Sequence, residues 1–418
     1  MTASPTNFET QIAIVGGGPA GLIAAEVLAT AGLAVTVYEH KRSVGRKFLL
    51  AGRGGLNITH AEPIEALLDR YGEARRTLEP AIRRFSPDSL REWCAELGES
   101  TFEGTSHRVF PESFRATPLL RAWLNRLDQL GVSIQTGHRW HGWAADGFLL
   151  FEADERERRE RPVATVFALG GASWPRVGSN GAWLAPFETN DIVVAPLVGA
   201  NCGVEVTWSA VIGERFAGEP LKNVVLRVGQ DVSRGDVIVT ERGLEGGPVY
   251  AVGPGLRERL SAGLPATLRI DLAPDLDLAR LTARLAKRRP KASTSSWVKA
   301  AGLSPVAIAL AREATQNNLP QDANSLAGLL KALPLTVPAM APIGRAISTA
   351  GGVSLDEINA DFMLTSLPGT FIAGEMLDWE APTGGYLLQA CFSTGVAAAE
   401  GVLKWLDGDR VAVARVPH

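Results

Sequence analysis

Cysteine is scarce in this chain. Cys94, Cys202 and Cys391 are its 3 thiols in 418 residues, and they form neither a CxxC pair nor a metal-spaced cluster. That spacing argues against a dithiol redox centre and a cysteine-ligated metal, and it fits a reducing compartment in which the thiols are core or pocket residues. No HExxH motif signals a metalloenzyme and no GxSxG elbow signals a serine hydrolase. The start, Met1 to Thr10, is polar and lacks the layout of a secretion signal, and the apolar runs are broken by Gly, Pro or charge. The expectation is therefore a cytoplasmic protein with no membrane partner. Charge of one sign is also missing: a net charge of -3 gives no general attraction for nucleic acid. The best basic stretch, LAKRRPK at 285–291, reads as a solvated helix end. Nothing in the chain indicates an obligate protein partner.

Glycine, by contrast, is plentiful, with 44 residues against 25 prolines, and 46% of the chain is apolar. This is a globular composition rich in tight turns, and the length implies two or three domains. Residues 11–39 read QIAIVGGGPAGLIAAEVLATAGLAVTVYE, a βαβ unit with a glycine turn. Gly16, Gly18 and Gly21 hold the three positions of GxGxxG. The first permits the turn, the second lets a diphosphate approach the backbone, and the third lets helix close on sheet. Pro19 and Ala20 open the helix, whose free N–H groups suit a pyrophosphate. Glu39, followed by His40, ends the second strand, where a carboxylate can accept from both ribose hydroxyls and disfavours a 2′-phosphate.

The next segment, SVGRKFLLAGRGGLNITH at 43–60, brings Arg46, Lys47 and Arg53 among glycines that include Gly54 and Gly55. Such a segment can wrap a diphosphate with backbone donors and positive charge; the plainer alternative is a flexible basic loop. Asn57 and Thr59 add polar groups suited to a ring system or a substrate. Helical patterns fill residues 64–97 and 118–130, the second with Thr117 as its cap. His107 and Arg108, between these helices, suit either a bound substrate or an ordinary surface. Strands are expected at 132–134, 147–151 and 163–169 around the charged run ADERERRERP, a solvated hairpin or loop. From Ala195 short β-like pieces alternate with turns, and residues 276–333 turn mostly helical. The strand FIAG, an acid and a double glycine then lead into a long last helix. There Glu375 and Asp378 can bind a sugar-like chain, and the helix start at Gly384, Gly385 and Tyr386 can stabilise negative charge.

Five segments in order, GGGPAG at 16–21, GRKFLLAGRGGLNITH at 45–60, ALGGASWPRVGSNG at 168–181, TAGGV at 349–353 and AGEMLDWEAPTGGYLLQACFSTG at 373–395, resemble the HI0933-like family of flavoproteins. That family includes aminoacetone oxidase-like and BaiN-like reductase proteins, and the chain is most similar to its PP_4765-type branch. Relatives commonly carry GGGRCN where this chain has GRGGLN, so Leu56 replaces a cysteine. The resemblance implies an α/β fold: an interrupted Rossmann-like FAD-binding domain with an inserted β-barrel-like domain that carries a small helical domain. In this chain the boundaries become 1–195 and 349–418 for the FAD domain, 196–275 and 336–348 for the β-rich insert, and 276–335 for the helical insert. FAD would be held non-covalently by the residues above together with Gly170, Gly171 and Gly374. Trp174, by stacking or by walling, with Thr349, Gly351 and Gly352, would line the substrate pocket.

The implied activity is hydride transfer between NADH or NADPH, visiting as a transient donor, and a small organic acceptor through bound FAD. Only one dinucleotide fingerprint is present, so a two-nucleotide disulfide reductase does not fit. An oxygen-using amine-type oxidase and a flavin-dependent RNA-modifying or RNA-binding protein remain as alternatives, and no residue stands out as an acid or base.

Overall fold

The computed structural model describes residues 11–287 and 293–414. Positions 288–291 of the basic stretch lie outside the described residues, as does the side chain of Arg53. The chain divides into two compact units, one of residues 1–198 with 348–418 and one of residues 199–347.

The first unit is built on a five-stranded parallel sheet. Its strands are β1 (Gln11–Val15), β2 (Ala34–Glu39), β3 (Ser133–Thr136), β4 (Ala164–Phe167) and β5 (Thr370–Ile372), in the spatial order β5-β4-β1-β2-β3. The central strands are apolar on both faces because both are covered, as parallel sheets require. Helix α1 (Pro19–Thr30) follows β1 directly with proline at its start, and its small residues let it lie close to the last helix, α3 (Tyr386–Ala414). At their crossing, a Cβ on Gly395 would fall on the carbonyl oxygen of Ala20. One short helix, α2 (Arg46–Ala51), opens from Gly45 in a left-handed conformation, φ 68°.

Several sequence expectations shift here. The helical patterns expected over residues 64–97 form three helices, Ile64–Asp69, Arg75–Arg84 and Pro87–Glu96. The helix expected from residue 118 starts earlier, at Ala116, so Thr117 lies inside it and caps nothing; Arg115 is the boundary residue and no side chain caps the end. Strand β4 stops at Phe167, freeing Ala168 and Leu169 to turn back over the end of β1. The charged run folds as a hairpin, with Asp154 and Glu155 at φ 51° and 61° between Leu149–Ala153 and Arg156–Glu160. Two consecutive left-handed residues match the twist of the flanking strands. A third strand, Arg139–Trp143, completes that small sheet and was not apparent from the sequence pattern.

Tyr386–Gly408, though interrupted by Gly395, Glu400 and Lys404, is still long and apolar enough to cross a membrane by length and composition. Its surroundings explain the composition, since 67% of that window is buried against the first unit's own core. There Phe392 packs among Trp93 and Trp123.

The second unit holds a seven-stranded antiparallel sheet ordered Leu333–Thr336, Thr267–Asp271, Pro220–Val228, Asp231–Thr240, Gly243–Glu245, Val204–Glu205, Ala339–Met340. Among the described residues no ladder joins its two end strands into a closed barrel. The helices Leu278–Ala286, Thr294–Ala300, Pro305–Ala314 and Ala323–Lys331 share one apolar cluster with this sheet. Leu333, expected as the end of the helical stretch, begins a strand.

Candidate functional site

The parallel sheet carries its loops to one end, and there the first unit opens a cleft. Ligands of such sheets bind beyond the carboxyl ends of the strands. Its floor is the glycine turn. Gly16 has φ 113°, and a Cβ there would fall on the carbonyl oxygen of Ala168; one on Gly21 would fall on that of Gly16. Gly18 differs, for nothing lies within 4 Å of the Cβ it lacks, so its open side faces space. The turn thus packs through two of its glycines and leaves the third bare.

Glu39 closes β2 beside this turn. Its Oε2 accepts from the Gly17 amide at 3.0 Å and its Oε1 from the Lys41 amide at 2.8 Å, with His40 Nδ1 3.0 Å from Oε1. Burial pushes the Glu39 pKa up, but the bonds from His40, Lys41 and Gly17 outweigh it and hold the carboxyl below its ordinary value. Oε2 has one further lone pair to offer, since a carboxylate oxygen accepts two bonds.

On the opposite side, Lys47 of α2 donates to Glu375 Oε2 and Ser173 Oγ, both at 2.6 Å. Glu375 Oε1 accepts from the Thr349 amide at 3.0 Å, and Thr349 Oγ1 accepts from the amides of Ala172 and Ser173 at 2.9 and 3.2 Å. Four distant segments are tied together by this network. Cys391 lines the cleft as a neutral thiol, its pKa pushed up by burial to about 12.

Three lining residues keep buried polar atoms without partners: Arg46 Nε, Trp140 Nε1 and Ser179 Oγ. Trp140 and Ser179 are each only 7% exposed. Buried donors are normally paired, so two N–H groups and a hydroxyl with no partner, the bare Gly18 and a carboxylate with acceptor capacity fit a ligand that has both phosphate and sugar hydroxyls. The residues present therefore fit a dinucleotide such as FAD.

The structure gathers Gly16, Gly18, Pro19, Ala20, Glu39, His40, Arg46, Lys47, Gly170, Gly374 and Glu375 around this cleft. Ser179, within the segment 168–181, also lines it, as do His138, Arg139, Trp140 and Trp183, which carry no local motif in the sequence. Only the crossing from β3 to its neighbouring hairpin, and the loop after β4, bring them there. Gly21 and Gly171 serve packing, the latter against the Thr349 side chain. Thr349 is fully buried within the network, and Gly351 and Gly352 meet main chain, from Pro196 and from Met376 with Leu377. Trp174 is 38% exposed with φ 56° and lies outside the cleft lining. Asp378 also lies outside that lining, its pKa raised by burial.

Thr59 lies in a second neighbourhood, at the start of α3, on the loop that runs from Gly54 and Gly55 through Asn57. A Cβ on Gly385 (φ 96°) would lie 2.5 Å from the carbonyl of Thr59, and Thr59 Oγ1 donates to Gln389 Oε1 at 2.6 Å. Asn57 Nδ2 bonds the carbonyls of Thr59 and Val109, while its Oδ1 is buried without a partner. Tyr386 donates to Glu62 at 2.6 Å, stacks on His60 at 5.0 Å and accepts at its own carbonyl from Tyr71 at 2.8 Å. Arg70 completes the group with two bonds to Glu62. His60 ends the quoted segment at 45–60 on a short strand, whereas Glu62, Arg70 and Tyr71, in the loop before and the turn after the helix Ile64–Asp69, were not apparent from the sequence pattern.

A model of the HI0933-like protein Rossmann domain matches residues 10–401. The chain is 25% identical over 411 residues to a 3-dehydro-bile acid delta(4,6)-reductase of Clostridium scindens, covering 93% of this chain and 98% of that relative. It is 23% identical over 412 residues to a ribosomal RNA dihydrouridine synthase of Escherichia coli, covering 93% and 97%. Among solved structures, a 3-ketosteroid delta1-dehydrogenase from Sterolibacterium denitrificans shares the fold with a TM-score of 0.54 at 12% identity, over 95% of this chain and 100% of that one. With the fingerprint turn, the Glu39 carboxylate at the end of β2 and the cleft in place, the chain belongs to the HI0933-like Rossmann-domain family of FAD-dependent oxidoreductases.

Proposed function

We propose that this chain binds FAD non-covalently in the cleft and passes hydride from NADH or NADPH to a small organic acceptor whose carbon–carbon double bond is conjugated to a carbonyl. The observation that carries the reading is the convergence of three unpaired buried polar atoms, Arg46 Nε, Trp140 Nε1 and Ser179 Oγ, on a cleft floored by the glycine turn and edged by Glu39. Glu39 accepts from the adenosine ribose, the bare face of Gly18 and the first N–H groups of α1 receive the diphosphate, and Arg46 adds positive charge. Lys47 and Glu375 face the ribityl side. Gly54, Gly55, Asn57 and Thr59, with Gly384, Gly385 and the start of α3, flank the ring, where the helix dipole favours negative charge. FAD, when bound, supplies the two-electron redox chemistry.

Support for a conjugated acceptor comes from the relatives: one is named a delta(4,6)-reductase of a 3-dehydro-bile acid and another a dihydrouridine synthase of ribosomal RNA, both reductions. The second name also favours a second reading, modification of a uridine in RNA. The test is anaerobic NADPH oxidation with a cyclic enone and, separately, with unmodified ribosomal RNA. Turnover with the enone supports the first reading and turnover with RNA alone the second. No turnover with either acceptor, with NADPH consumed only once oxygen is admitted, would overturn both. The β-rich second unit with its four helices corresponds, in this reading, to the inserted β-barrel-like and helical domains.

A further inference from the structure

Phe114 combines three features that ordinary surface residues lack together. It is a large aromatic residue held at φ 57°, a conformation bulky side chains rarely adopt, and it is 48% exposed. Its main chain is fixed from both sides, since its amide donates to the Pro111 carbonyl at 2.9 Å and its carbonyl accepts from the Leu56 amide at 3.3 Å. The ring is fixed as well. Phe110 stacks on it at 5.2 Å with planes 22° apart, and Phe102 leans on it at 5.1 Å. A strained conformation persists where its surroundings over-determine it, and such residues concentrate at ligand-contacting positions.

The place of this ring is set by the glycine loop. A Cβ on Gly55 would lie 3.0 Å from Phe114 Cδ1, so the bare glycine lets the ring lie close to the loop, while next to it Gly54 has nothing within 4 Å of its missing Cβ. The same loop runs on through Asn57 to Thr59, whose backbone abuts Gly385 at the start of α3. Phe114 therefore stands at one edge of the segment that the proposed function assigns to the flavin ring, and the helix start stands at the other. Arg108 reaches that second edge, its Nε lying 3.8 Å from the Cβ position of Gly384. An aromatic face and bare backbone at one edge, with a cation across the loop, suit a flat ring that carries a carbonyl oxygen.

We propose that Phe114, backed by Phe110 and Phe102, is a positioning residue on which the substrate's planar, conjugated six-membered carbonyl ring stacks. The proposal rests on the reductase reading for the choice of substrate class. Its chemistry is shared by a steroid-like enone and by the uracil base, and the test separates the two.

The full-length, flavin-loaded chain and its variants Phe114→Ala, Phe114→Leu and Phe114→Trp are titrated with 4-androstene-3,17-dione and, separately, with uridine, following perturbation of the flavin absorbance. A saturable shift is expected in the wild type with at least one probe, weakened about tenfold by Ala and by Leu and kept within about twofold by Trp. Saturation by the steroid alone identifies an enone as the source of the ring, and saturation by uridine alone identifies a base. Neither probe perturbing the wild type, or the Leu variant binding as tightly as wild type, overturns the proposal. Should the Ala variant fail to fold, the Leu and Trp pair decides. Bleaching by NADPH with no ring binding overturns the stacking alone, whereas ring binding without bleaching overturns the reductase reading alone.

Discussion

At the scale of single residues, the site is a set of charges whose partners are spelled out by the fold. Glu39 is the clearest. Its carboxyl is held below the ordinary value of 4.5 by His40, Lys41 and Gly17, against the upward push of burial. A depressed carboxylate contributes stability above its unfolded value and loses it as pH falls through the folded one. Flavin retention is therefore expected to be flat from neutral pH down to about pH 5 and to fall below 4.5, read by fluorescence of released flavin across a pH series. In Glu39→Gln the acid-sensitive step disappears and the FAD Kd rises about tenfold, equivalent to about 1.4 kcal/mol. A variant that keeps both the affinity and the acid step would remove Glu39 from the ribose. Lys47→Met leaves Glu375 without the cation it meets at 2.6 Å. Loss of about 1–3 kcal/mol is expected for a charged hydrogen bond of this kind, seen as a lower thermal midpoint and weaker flavin binding together.

The pattern Gly16, Gly18, Gly21 and Glu39 was legible because each of those residues does its work within a local βαβ unit. Lys47 and Glu375 were legible as candidates but not as a pair. They are 328 positions apart, and their meeting depends on β5 lying beside β4 in the sheet. Trp140 was illegible in role, since a tryptophan in a short strand has nothing in its neighbours that points to a cleft; the segment 168–181 pointed to the site, but not to Ser179 within it.

At the scale of elements, glycines decide how closely segments approach. Gly395 lets α3 cross α1, and Gly385 lets α3 begin against the loop at Thr59. Gly385→Ala faces both a φ of 96° and main chain 2.5 Å away, so destabilisation above about 1 kcal/mol is expected. Gly54→Ala, with open space around it, is expected to cost little stability. Paired thermal melts of the two variants check this, and equal midpoints would contradict the packing described. The long apolar α3 shows how composition misleads at this scale, because a helix buried on most sides resembles a membrane span. The strand Arg139–Trp143 escaped the sequence reading, and the charged run, read there as a hairpin or loop, pairs as Arg156–Glu160, five charged residues that no alternation of apolar side chains marks as a strand.

At the scale of the molecule, two separate apolar clusters underlie the two units, one containing Ile14, Phe167 and Phe392 and the other Leu226, Ile270 and Leu310. Domains with their own cores can unfold separately, and a ligand that binds one native core raises that transition alone. Calorimetry is expected to resolve two transitions, with added FAD shifting one of them upward. A single transition that moves as a whole would contradict the independence of the cores. A change of texture near residue 195 was legible in the sequence, whereas the sharing of one core by the sheet and four helices of the second unit was not. Helical periodicity specifies a buried face without specifying what buries it.

The central claim is that the cleft holds FAD and that a reduced pyridine nucleotide delivers electrons to it. The most direct test is anaerobic stopped-flow mixing of the purified, flavin-loaded chain with NADH and, separately, NADPH. Rapid bleaching of the flavin band near about 450 nm with at least one donor is the predicted result. A chain that takes up no FAD, or a bound flavin that neither nucleotide bleaches, would contradict the account.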